Sequence, residues 1–193
     1  MYDELTQCLK AEVQKGKKSF SWRRTLHCAL KCADRRFYFW FRVWCYLFKT
    51  NKYGLGKFAK HRMTKLNRKY STDINPRAFI GAGFKIVHFP GVVIRGNTVI
   101  GKNAVIRQGV TIGARNSTDE GLTRIGDNVE IGANSCIIGD ISIGNNVTIG
   151  ALSLINKNVP DNTIVFSQNS IVYRNKDDEE SIPLTSIRYS QAS

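Results

Sequence analysis

One histidine, His88, is the only imidazole between residues 71 and 193, and it could transfer protons near neutral pH. An imidazole placed beside a hydroxyl group can act as its general base. Asp73 lies fifteen residues earlier in the chain, and its carboxylate could hold the imidazole in one tautomer. His88 could instead be a corner residue held by local hydrogen bonds, and Asp73 a simple turn residue. The two residues therefore indicate acid–base chemistry if the fold brings them together.

The other candidate nucleophiles and ligands give a weaker signal. Cys136 has no histidine close to it in sequence, so we interpret it as a packing residue. Cys28 and Cys32 lie one helical turn apart, but no second pair completes a zinc site. His27 and His61 fall in a stretch with helical character, away from His88. We therefore expect no metal, and the five irregularly spaced cysteines predict reduced thiols.

An isoleucine repeat must position the candidate groups. Ten of the twelve gaps between successive isoleucines are six residues long. The series is Ile74, Ile80, Ile86, Ile94, Ile100, Ile106, Ile112, Ile125, Ile131, Ile137, Ile143, Ile149 and Ile155. A period of six fits neither an α-helix nor the alternation of a flat strand. It predicts a solenoid with inward isoleucines, about 18 residues in each three-sided coil, and Gly or Asn at corners with positive φ.

Two irregularities interrupt the period, and departures of this kind usually mark the functional face. The first is the eight-residue stretch IVHFPGVV, which contains His88. The second is ARNSTDEGLTR, which lengthens one corner into a polar loop. Because a coil has about 18 residues, positions 15–18 apart lie on neighbouring coils. The solenoid therefore predicts that Asp73 lies close to His88.

The stretches DINPRAFIGAGFKIVHFPGVVI and VTIGARNSTDEG resemble the serine acetyltransferase group of hexapeptide-repeat acyltransferases. They resemble more closely the short capsule-type polysaccharide O-acetyltransferases related to that group. The resemblance covers about residues 70–175 and implies a mainly β fold, a left-handed parallel β-helix after a short N-terminal α-helical region. It also implies a homotrimer with acetyl-CoA bound between neighbouring subunits. His88 and Asp73 match the family's catalytic histidine and its acidic partner.

The resemblance also implies where the acetyl donor binds. The small residues that match the positions leaving room for acetyl-CoA are Gly113, Ala114, Ala133 and Ala151. They could equally be residues that pack the corners, although backbone N–H groups near Gly113 are candidates for holding an oxyanion. Lys157, Arg174 and Lys176 could contact the CoA phosphates or could be solvated charges. Where relatives carry a Gly-x-Pro-Ala element, residues 167–170 read SQNS, which departs from the pattern.

Two further departures concern the acceptor. Where serine acetyltransferases carry an acid directly before the catalytic histidine, this chain has Val87; their Arg-His pair aligns with Gly121 and Leu122. A zwitterionic acceptor without these charge partners would bind poorly, whereas a sugar hydroxyl needs no charged partners. We therefore predict an acetyl-CoA-dependent O-acetyltransferase that acts on a sugar of a bacterial capsular or other surface polysaccharide, or its precursor. A serine O-acetyltransferase of cysteine biosynthesis and a non-catalytic scaffold are the alternatives.

The N-terminal part differs in charge from the rest of the chain. Residues 1–70 hold 18 Lys and Arg against 4 Asp and Glu, and so carry the whole net charge of +14. We expect three parts: a basic, aromatic-rich region of two or three helices over residues 1–70, the β-helix over 71–176, and a loose tail over 177–193. No secretory signal and no apolar run of spanning length is evident, so we expect a cytoplasmic protein.

The stretch FYFWFRVWCYLF, residues 37–48, contains eight aromatic residues and is flanked by basic ones. It fits a helix buried in a contact that assembles trimers or larger oligomers. It also fits a helix lying on the inner membrane face, with its basic flank on anionic lipid. An anionic polymer could use the same surface. No nucleic-acid module is recognisable, so we expect no nucleic-acid partner.

Overall fold

A computed structural model describes residues 1–16, 18–116 and 121–167 of the chain. Four α-helices come first: α1 (Tyr2–Leu9), α2 (Trp22–Lys31), α3 (Ala33–Thr50) and α4 (Gly56–Tyr70). A π-helical segment, Lys10–Gln14, continues α1, and a short 3-10 turn, Lys52–Gly54, precedes α4. The prediction of two or three helices was therefore too low. The eight-residue α1 presents only a few apolar side chains, which is too short a pattern to stand out in sequence.

Fourteen short strands follow and stack into three parallel sheets. Sheet A contains β1 (Asp73–Ile74), β4 (Val93–Ile94), β7 (Thr111–Gly113), β10 (Cys136–Ile138) and β13 (Leu154–Ile155). Sheet B contains β2 (Phe79–Ile80), β5 (Thr98–Ile100), β8 (Thr123–Ile125) and β11 (Ser142–Ile143). Sheet C contains β3 (Lys85–Ile86), β6 (Val105–Ile106), β9 (Glu130–Ile131), β12 (Thr148–Ile149) and β14 (Ile164–Val165). Up to β13, the strands of each sheet pair with the strand three places further along the chain. This pairing confirms the predicted left-handed parallel β-helix.

The repeated isoleucines form the core of the solenoid. In sheet A, Ile74 is in register with Ile94, and Ile94 is in register with Ile112. All three are at most 1% exposed. Each such side chain contributes about 1.5–3 kcal/mol when it is fully buried, so the stack outweighs the low intrinsic stability of two-residue strands. The six-residue spacing is therefore the spacing of inward-facing positions.

The corners between sheets B and C use asparagine, as the sequence predicted. Asn103, Asn128, Asn146 and Asn162 have φ between 55° and 57°. Their side-chain amides bond from coil to coil at 2.9–3.0 Å. Asparagine reaches this left-handed region more readily than other residues with a Cβ. The ladder therefore both forms the turns and joins the coils.

The helices cover the open first coil of the solenoid through a buried ion pair. Arg42 of α3 donates to both carboxylate oxygens of Glu12, at 2.8 and 2.6 Å. The Arg42 guanidinium also donates to the carbonyl of Gly81 at 2.7 Å, and Glu12 accepts from the Phe84 N–H at 3.1 Å. Both side chains are almost fully buried. The pair thus satisfies backbone groups that would otherwise form an exposed edge.

Three further side chains of the helices bond to the backbone of the first coil, and with the Glu12–Arg42 pair they form the cap of the solenoid. The Tyr38 hydroxyl accepts from the Ile86 N–H at 2.8 Å, and burial raises the pKa of Tyr38 to about 12, so the hydroxyl keeps its proton. The Lys49 ammonium donates to the Ala78 carbonyl. Asn67 of α4 donates to the Ile74 carbonyl.

The aromatic face of α3 is mostly buried against the solenoid of its own chain. Phe37, Tyr38, Phe39 and Phe41 are at most 8% exposed. They belong to one hydrophobic core that runs from the helices into the coils. This segment is therefore buried within one subunit, whereas the predicted burial was in a contact between subunits. Among the residues that the structure describes, no helix is long and apolar enough to cross a membrane.

Candidate active site

The corner between β3 and β4 is lengthened to residues 87–92 and carries His88 on its outside. His88 is exposed, whereas Phe89 is partly buried. Gly91 has a φ of 75°, and a Cβ there would lie 3.3 Å from the Gly109 Cα of the next coil. Its N–H donates to the Ser71 carbonyl at 2.8 Å. The extra residues therefore bulge outward while the backbone stays tied to both neighbouring coils.

Phe89 fixes this corner to the helices. Its ring centroid lies 4.6 Å from that of Phe37 and 5.0 Å from that of Tyr70. Tyr38 is also in this cluster, with its ring 6.3 Å from Phe89. Phe89 therefore packs into this aromatic cluster, whereas the neighbouring His88 is exposed. Sequence reasoning missed this anchor, and the aromatic residue next to the histidine was the signal for it.

Asp73 begins β1, one coil before β4, and is in register with Val93. Its side chain is exposed, like that of His88. In the described part of the chain, the two side chains form neither a hydrogen bond nor an ion pair. The structure thus places them on adjacent coils of one side of the solenoid, without direct contact. Hydrogen bonds of catalytic groups often tighten only around bound substrate.

Two predicted donor-binding residues share an edge with His88. Ala133 lies in the corner between β9 and β10, and Ala151 lies in the corner between β12 and β13. Both corners join sheet C to sheet A, as does the corner of His88. With coils about 4.8 Å apart, Ala133 and Ala151 lie roughly 10 and 14 Å along the axis from His88. These corners therefore form one continuous edge of the solenoid, and His88 lies at its end.

The same edge contains a strained corner. Leu152 has a φ of 59°, a conformation that costs a leucine about 1–2 kcal/mol, and its N–H donates to the Ala133 carbonyl. The side chain is 61% exposed. Glycine or asparagine occupies the equivalent corners above it, at Gly91, Gly109 and Asn134. Strain of this kind tends to occur at binding surfaces.

The remaining predicted residues lie on the other border of sheet A. Gly113 ends β7 and Ala114 follows it, while Lys157 lies just after β13. These corners lead from sheet A toward sheet B. The structure therefore separates Gly113, Ala114 and Lys157 from Ala133 and Ala151 by the width of one sheet. Arg174 and Lys176, with the predicted tail over residues 177–193, lie outside the described residues.

Arg115 is a cation on this second border that sequence reasoning missed. It follows Ala114, and its guanidinium donates to the Asn156 carbonyl at 3.2 Å. It also packs against Gly139, where an added Cβ would lie 2.8 Å from the Arg115 Nε. The sequence signal was its place within the longer second irregularity. Lys157 and Arg115 therefore put two cations on the same border of sheet A.

Packing among the described residues does not require a glycine at position 113. Its φ is outside the positive region, and an added Cβ would meet Ile138 at 3.6 Å and Thr111 at 3.8 Å, which are ordinary contacts. By contrast, a Cβ on Gly126 would lie 2.7 Å from the Gly144 backbone. The described residues thus leave space beside Gly113.

The residues that bear on the acceptor flank His88 and the long loop. Val87 precedes His88, is half-buried, and its N–H donates to the Ile106 carbonyl at 2.9 Å. Gly121 and Leu122 are half-buried just before β8, and the Gly121 carbonyl accepts from Arg95. None of the three predicted positions carries a charge.

Cysteine and metal chemistry find no support at this site. Cys136 lies half-buried in β10 with its N–H donating to the Ser153 carbonyl, and all five cysteines are unpaired thiols. Burial raises the pKa of Cys8 and of Cys45 to about 11, which keeps both protonated. Within residues 1–16, 18–116 and 121–167, no cluster of three or more His, Cys, Asp or Glu could hold a metal ion.

Comparison with protein families matches two parts of the solenoid. Residues 122–157 match the bacterial transferase hexapeptide family of six repeats. Residues 91–115 match the hexapeptide repeat of succinyl-transferase. Both matches fall in the three-sided coils and include the predicted donor-binding residues, but they contain neither Asp73 nor His88.

Two relatives of the chain carry different functional names. The chain is 45% identical over 103 residues to WcaB of Escherichia coli K12, whose name assigns it to colanic acid biosynthesis as an acetyltransferase. This match covers 53% of the chain and 64% of WcaB. The chain is 41% identical over 118 residues to chloroplastic serine acetyltransferase 1 of Arabidopsis thaliana, covering 61% of the chain and 37% of the plant protein. The chain thus spans less than two thirds of either relative.

Solved structures of serine acetyltransferases resemble the whole arrangement. The enzyme of Neisseria gonorrhoeae in complex with serine has a TM-score of 0.66 at 28% identity, over 86% of this chain and 68% of that one. Isoform 3 of Entamoeba histolytica in complex with cysteine has a TM-score of 0.68 at 28% identity, over 90% of this chain and 60% of that one. Coverage this high includes helices as well as coils.

Proposed function

We propose, from the hexapeptide repeats matched over residues 91–115 and 122–157, that the chain is a hexapeptide-repeat acetyltransferase that transfers acetyl from acetyl-CoA to a sugar hydroxyl of a bacterial surface polysaccharide or its precursor. The observation that carries the proposal is the exposed His88, held on the outside of the one corner that is lengthened by two residues. The similarity to WcaB supports a polysaccharide as the acceptor. Because acetyl-CoA is a cytoplasmic metabolite, the proposed site of action is the cytoplasm.

In the proposed reaction, His88 is the general base. Its neutral imidazole takes the proton of the acceptor hydroxyl while that oxygen attacks the thioester carbonyl carbon. The C–S bond then breaks, and the imidazolium returns the proton to the CoA thiolate. The products are an O-acetyl ester and CoA. Asp73 acts as a positioning residue that stabilises the imidazolium across the gap between two coils.

The edge between sheets C and A fits an extended pantetheine arm. Its small residues, Ala133 and Ala151, leave the corner backbone accessible, and Leu152 presents an apolar side chain beside them. Gly113, Ala114 and the cations Lys157 and Arg115 lie on the opposite border of the same sheet. One CoA molecule could contact both sets of residues if the edge between sheets C and A of one subunit lay beside the edge between sheets A and B of its neighbour. We therefore propose a homotrimer with the donor between subunits.

Serine O-acetylation is the second candidate, because the solved relatives include serine acetyltransferases. Val87 argues against it, since an apolar side chain beside His88 gives an ammonium group no partner. Gly121 and Leu122 likewise provide no charged side chain for a carboxylate. A sugar hydroxyl avoids both costs.

Replacing Asp73 with asparagine is expected to lower kcat by about 10–10³-fold and to shift the pH–rate profile, because an amide does not stabilise the imidazolium. KM for acetyl-CoA should change little. Steady-state rates from pH 5 to 9 provide the measurement. Asn75→Ala, on the neighbouring corner, is the matched control. An unchanged rate and an unchanged profile would remove Asp73 from the mechanism.

Replacing Gly113 with alanine is expected to raise KM for acetyl-CoA by about tenfold, corresponding to about 1.4 kcal/mol, without lowering the melting temperature. The described residues leave room for this methyl group, whereas bound acetyl-CoA would collide with it. Gly126→Ala is the opposite control, because its methyl group would collide with the Gly144 backbone and lower the melting temperature. An unchanged KM in the stably folded Gly113→Ala variant would exclude this position from the donor site.

The acceptor is tested by following thiol release from acetyl-CoA with different hydroxyl compounds. We expect turnover with oligosaccharides of bacterial surface polymers and none with L-serine at equal concentration. Mass spectrometry of the product should show one added acetyl group that alkali removes. Turnover with serine alone would replace the proposed function by the second candidate, and hydrolysis of acetyl-CoA without transfer would reject both.

A further inference from the structure

A cleft between α3 and α4 lies outside the site described above. It has a volume of about 190 Å³. The residues that line this α3–α4 cleft are Arg36, Trp40, Trp44, Arg62, Lys65, Leu66, Lys69 and Tyr70. Three aromatic and four basic side chains thus surround one concave surface. Neither the repeat nor the proposed transfer chemistry accounts for this combination.

The aromatic side chains form flat platforms. The rings of Trp40 and Trp44 are stacked, with centroids 5.1 Å apart and planes 11° from parallel. Trp40 remains 37% exposed, so part of its indole is available to a ligand. The Arg62 guanidinium lies 5.6 Å from the Trp44 ring centre, and the Lys69 ammonium lies 5.9 Å from that of Tyr70. Indole faces pack well against the C–H faces of pyranose rings, while cations bind carboxylates.

The cleft carries an excess of positive charge, although the Asp34 carboxylate lies near Tyr70 and Arg36 donates to the Ala29 and Leu30 carbonyls. Between Asp34 and Asp73 the sequence contains eleven Lys and Arg and no acidic residue. Arg42 is the member of this set that the buried Glu12 neutralises. Arg62, Lys65 and Lys69 are exposed, and no carboxylate of the described residues forms an ion pair with them. An anionic ligand would therefore find a local excess of positive charge.

The cleft adjoins the corner of His88. Tyr70 lines the cleft and also contacts Phe89, with ring centroids 5.0 Å apart. Phe89 is the next residue after His88. A chain-like ligand in the cleft could therefore extend around Tyr70 toward the imidazole. A ligand of a single sugar would not need such an extended surface.

We infer that the α3–α4 cleft binds an acidic segment of the acceptor glycan, on sugar units next to the one that is acetylated. This inference rests on the proposed function, because it takes the glycan to be the acceptor. Carboxylate groups of uronic acids match the basic side chains, and the sugar rings match Trp40. A lipid surface is the competing ligand, because Leu55 and Phe58 beside the cleft are 37% and 51% exposed, although Phe37, Phe39 and Phe41 are buried in the chain; vesicles are therefore a separate arm of the test.

Binding is tested directly with the full chain, without acetyl-CoA. The probes are oligogalacturonate, its carboxyl-reduced neutral counterpart, and vesicles of phosphatidylglycerol. We expect oligogalacturonate to change tryptophan fluorescence and to bind at least about tenfold more tightly than the neutral probe, which corresponds to about 1.4 kcal/mol. Binding should weaken as salt rises, because the Debye length falls from about 10 Å at 0.1 M to about 3 Å at 1 M.

Two pairs of substitutions on α4 locate the binding surface. Arg62→Ala with Lys65→Ala should weaken oligogalacturonate binding at least about tenfold, whereas Lys57→Ala with Lys60→Ala should have little effect. Both pairs remove two positive charges from exposed positions of the same helix, but only the first pair lines the cleft. Trp40→Phe should retain part of the binding, and Trp40→Ala should lose more. Circular dichroism and thermal melting check that each variant is folded.

Acetyl transfer then connects the cleft to the reaction. Arg62→Ala with Lys65→Ala should raise KM for an acidic oligosaccharide acceptor. The same double variant should leave kcat for a monosaccharide acceptor unchanged. Equal effects of the two double variants, or binding to vesicles but to neither saccharide, would overturn the inference. If Arg62→Ala with Lys65→Ala gave a smaller oligomer by sedimentation and left saccharide binding unchanged, the cleft would belong to assembly. That result would also overturn the inference. Cleft binding of oligogalacturonate without acetylation of any glycan would defeat the proposed function while supporting an acidic-glycan site.

Discussion

Replacing His88 with alanine is expected to lower kcat for acetyl transfer by about 10²–10⁴-fold while the protein stays folded. The side chain is exposed and makes no contribution to the core, so its removal should not change the melting temperature. The loss should appear in kcat rather than in KM for acetyl-CoA, because the imidazole acts on the acceptor proton. Thiol release with saturating acetyl-CoA, together with thermal melting, provides the measurement.

The matched control for this variant is His61→Ala, because His61 is an exposed histidine on α4. It should retain full activity. If purified His88→Ala kept more than about a tenth of the wild-type kcat, the general base would have to be another group.

Replacing Arg42 with alanine is expected to destabilise the protein by about 3–5 kcal/mol, because it leaves the Glu12 carboxylate buried without its partner. The carbonyls of Ile80 and Gly81 would also lose a donor. The effect should appear as a lower midpoint in urea denaturation, with the helices and the first coil affected together. We expect this to be the largest loss of stability from any single charged side chain in the described residues.

An exposed ion pair serves as the control. Arg107 and Glu130 lie 2.8 Å apart, but both side chains are nearly half exposed, so Arg107→Ala should cost at most about 1 kcal/mol. Replacing Glu12 and Arg42 together with methionine should recover part of the stability, since no charge then remains buried. Equal costs for Arg42→Ala and Arg107→Ala would show that the Glu12–Arg42 pair does not anchor the helices.

This anchoring also affects how the basic region is studied. Removing residues 1–70 would uncover Phe84, which is 1% exposed, and would remove the partners of the Ile74 and Ile86 backbone groups. The truncated solenoid would therefore lose stability along with any binding surface. Substitutions on the exposed face of α4 separate the two effects, because Arg62 and Lys65 take no part in the cap.

The solenoid could be read from the sequence because its information is periodic. Each inward position repeats after six residues, so Ile94 and Ile112 identify their own places in the coil without knowledge of distant contacts. The corners follow from a local property, the ease with which asparagine and glycine adopt positive φ. His88 was visible for the same reason, since the two extra residues around it interrupt a regular spacing. The resemblance added the handedness and the acetyl donor.

The tertiary structure decided what no spacing encodes. Glu12 and Arg42 meet across 30 positions of sequence, and the α3–α4 cleft joins Trp40 to Arg62 from two different helices. It also separated the predicted donor-binding residues onto two borders of sheet A. Such contacts depend on how helices pack against the first coil, and helix packing has no fixed interval in sequence. The sequence by itself thus determined the coils and identified His88 as the candidate base, while packing determined what anchors the corner of His88 and which surface lies beside it.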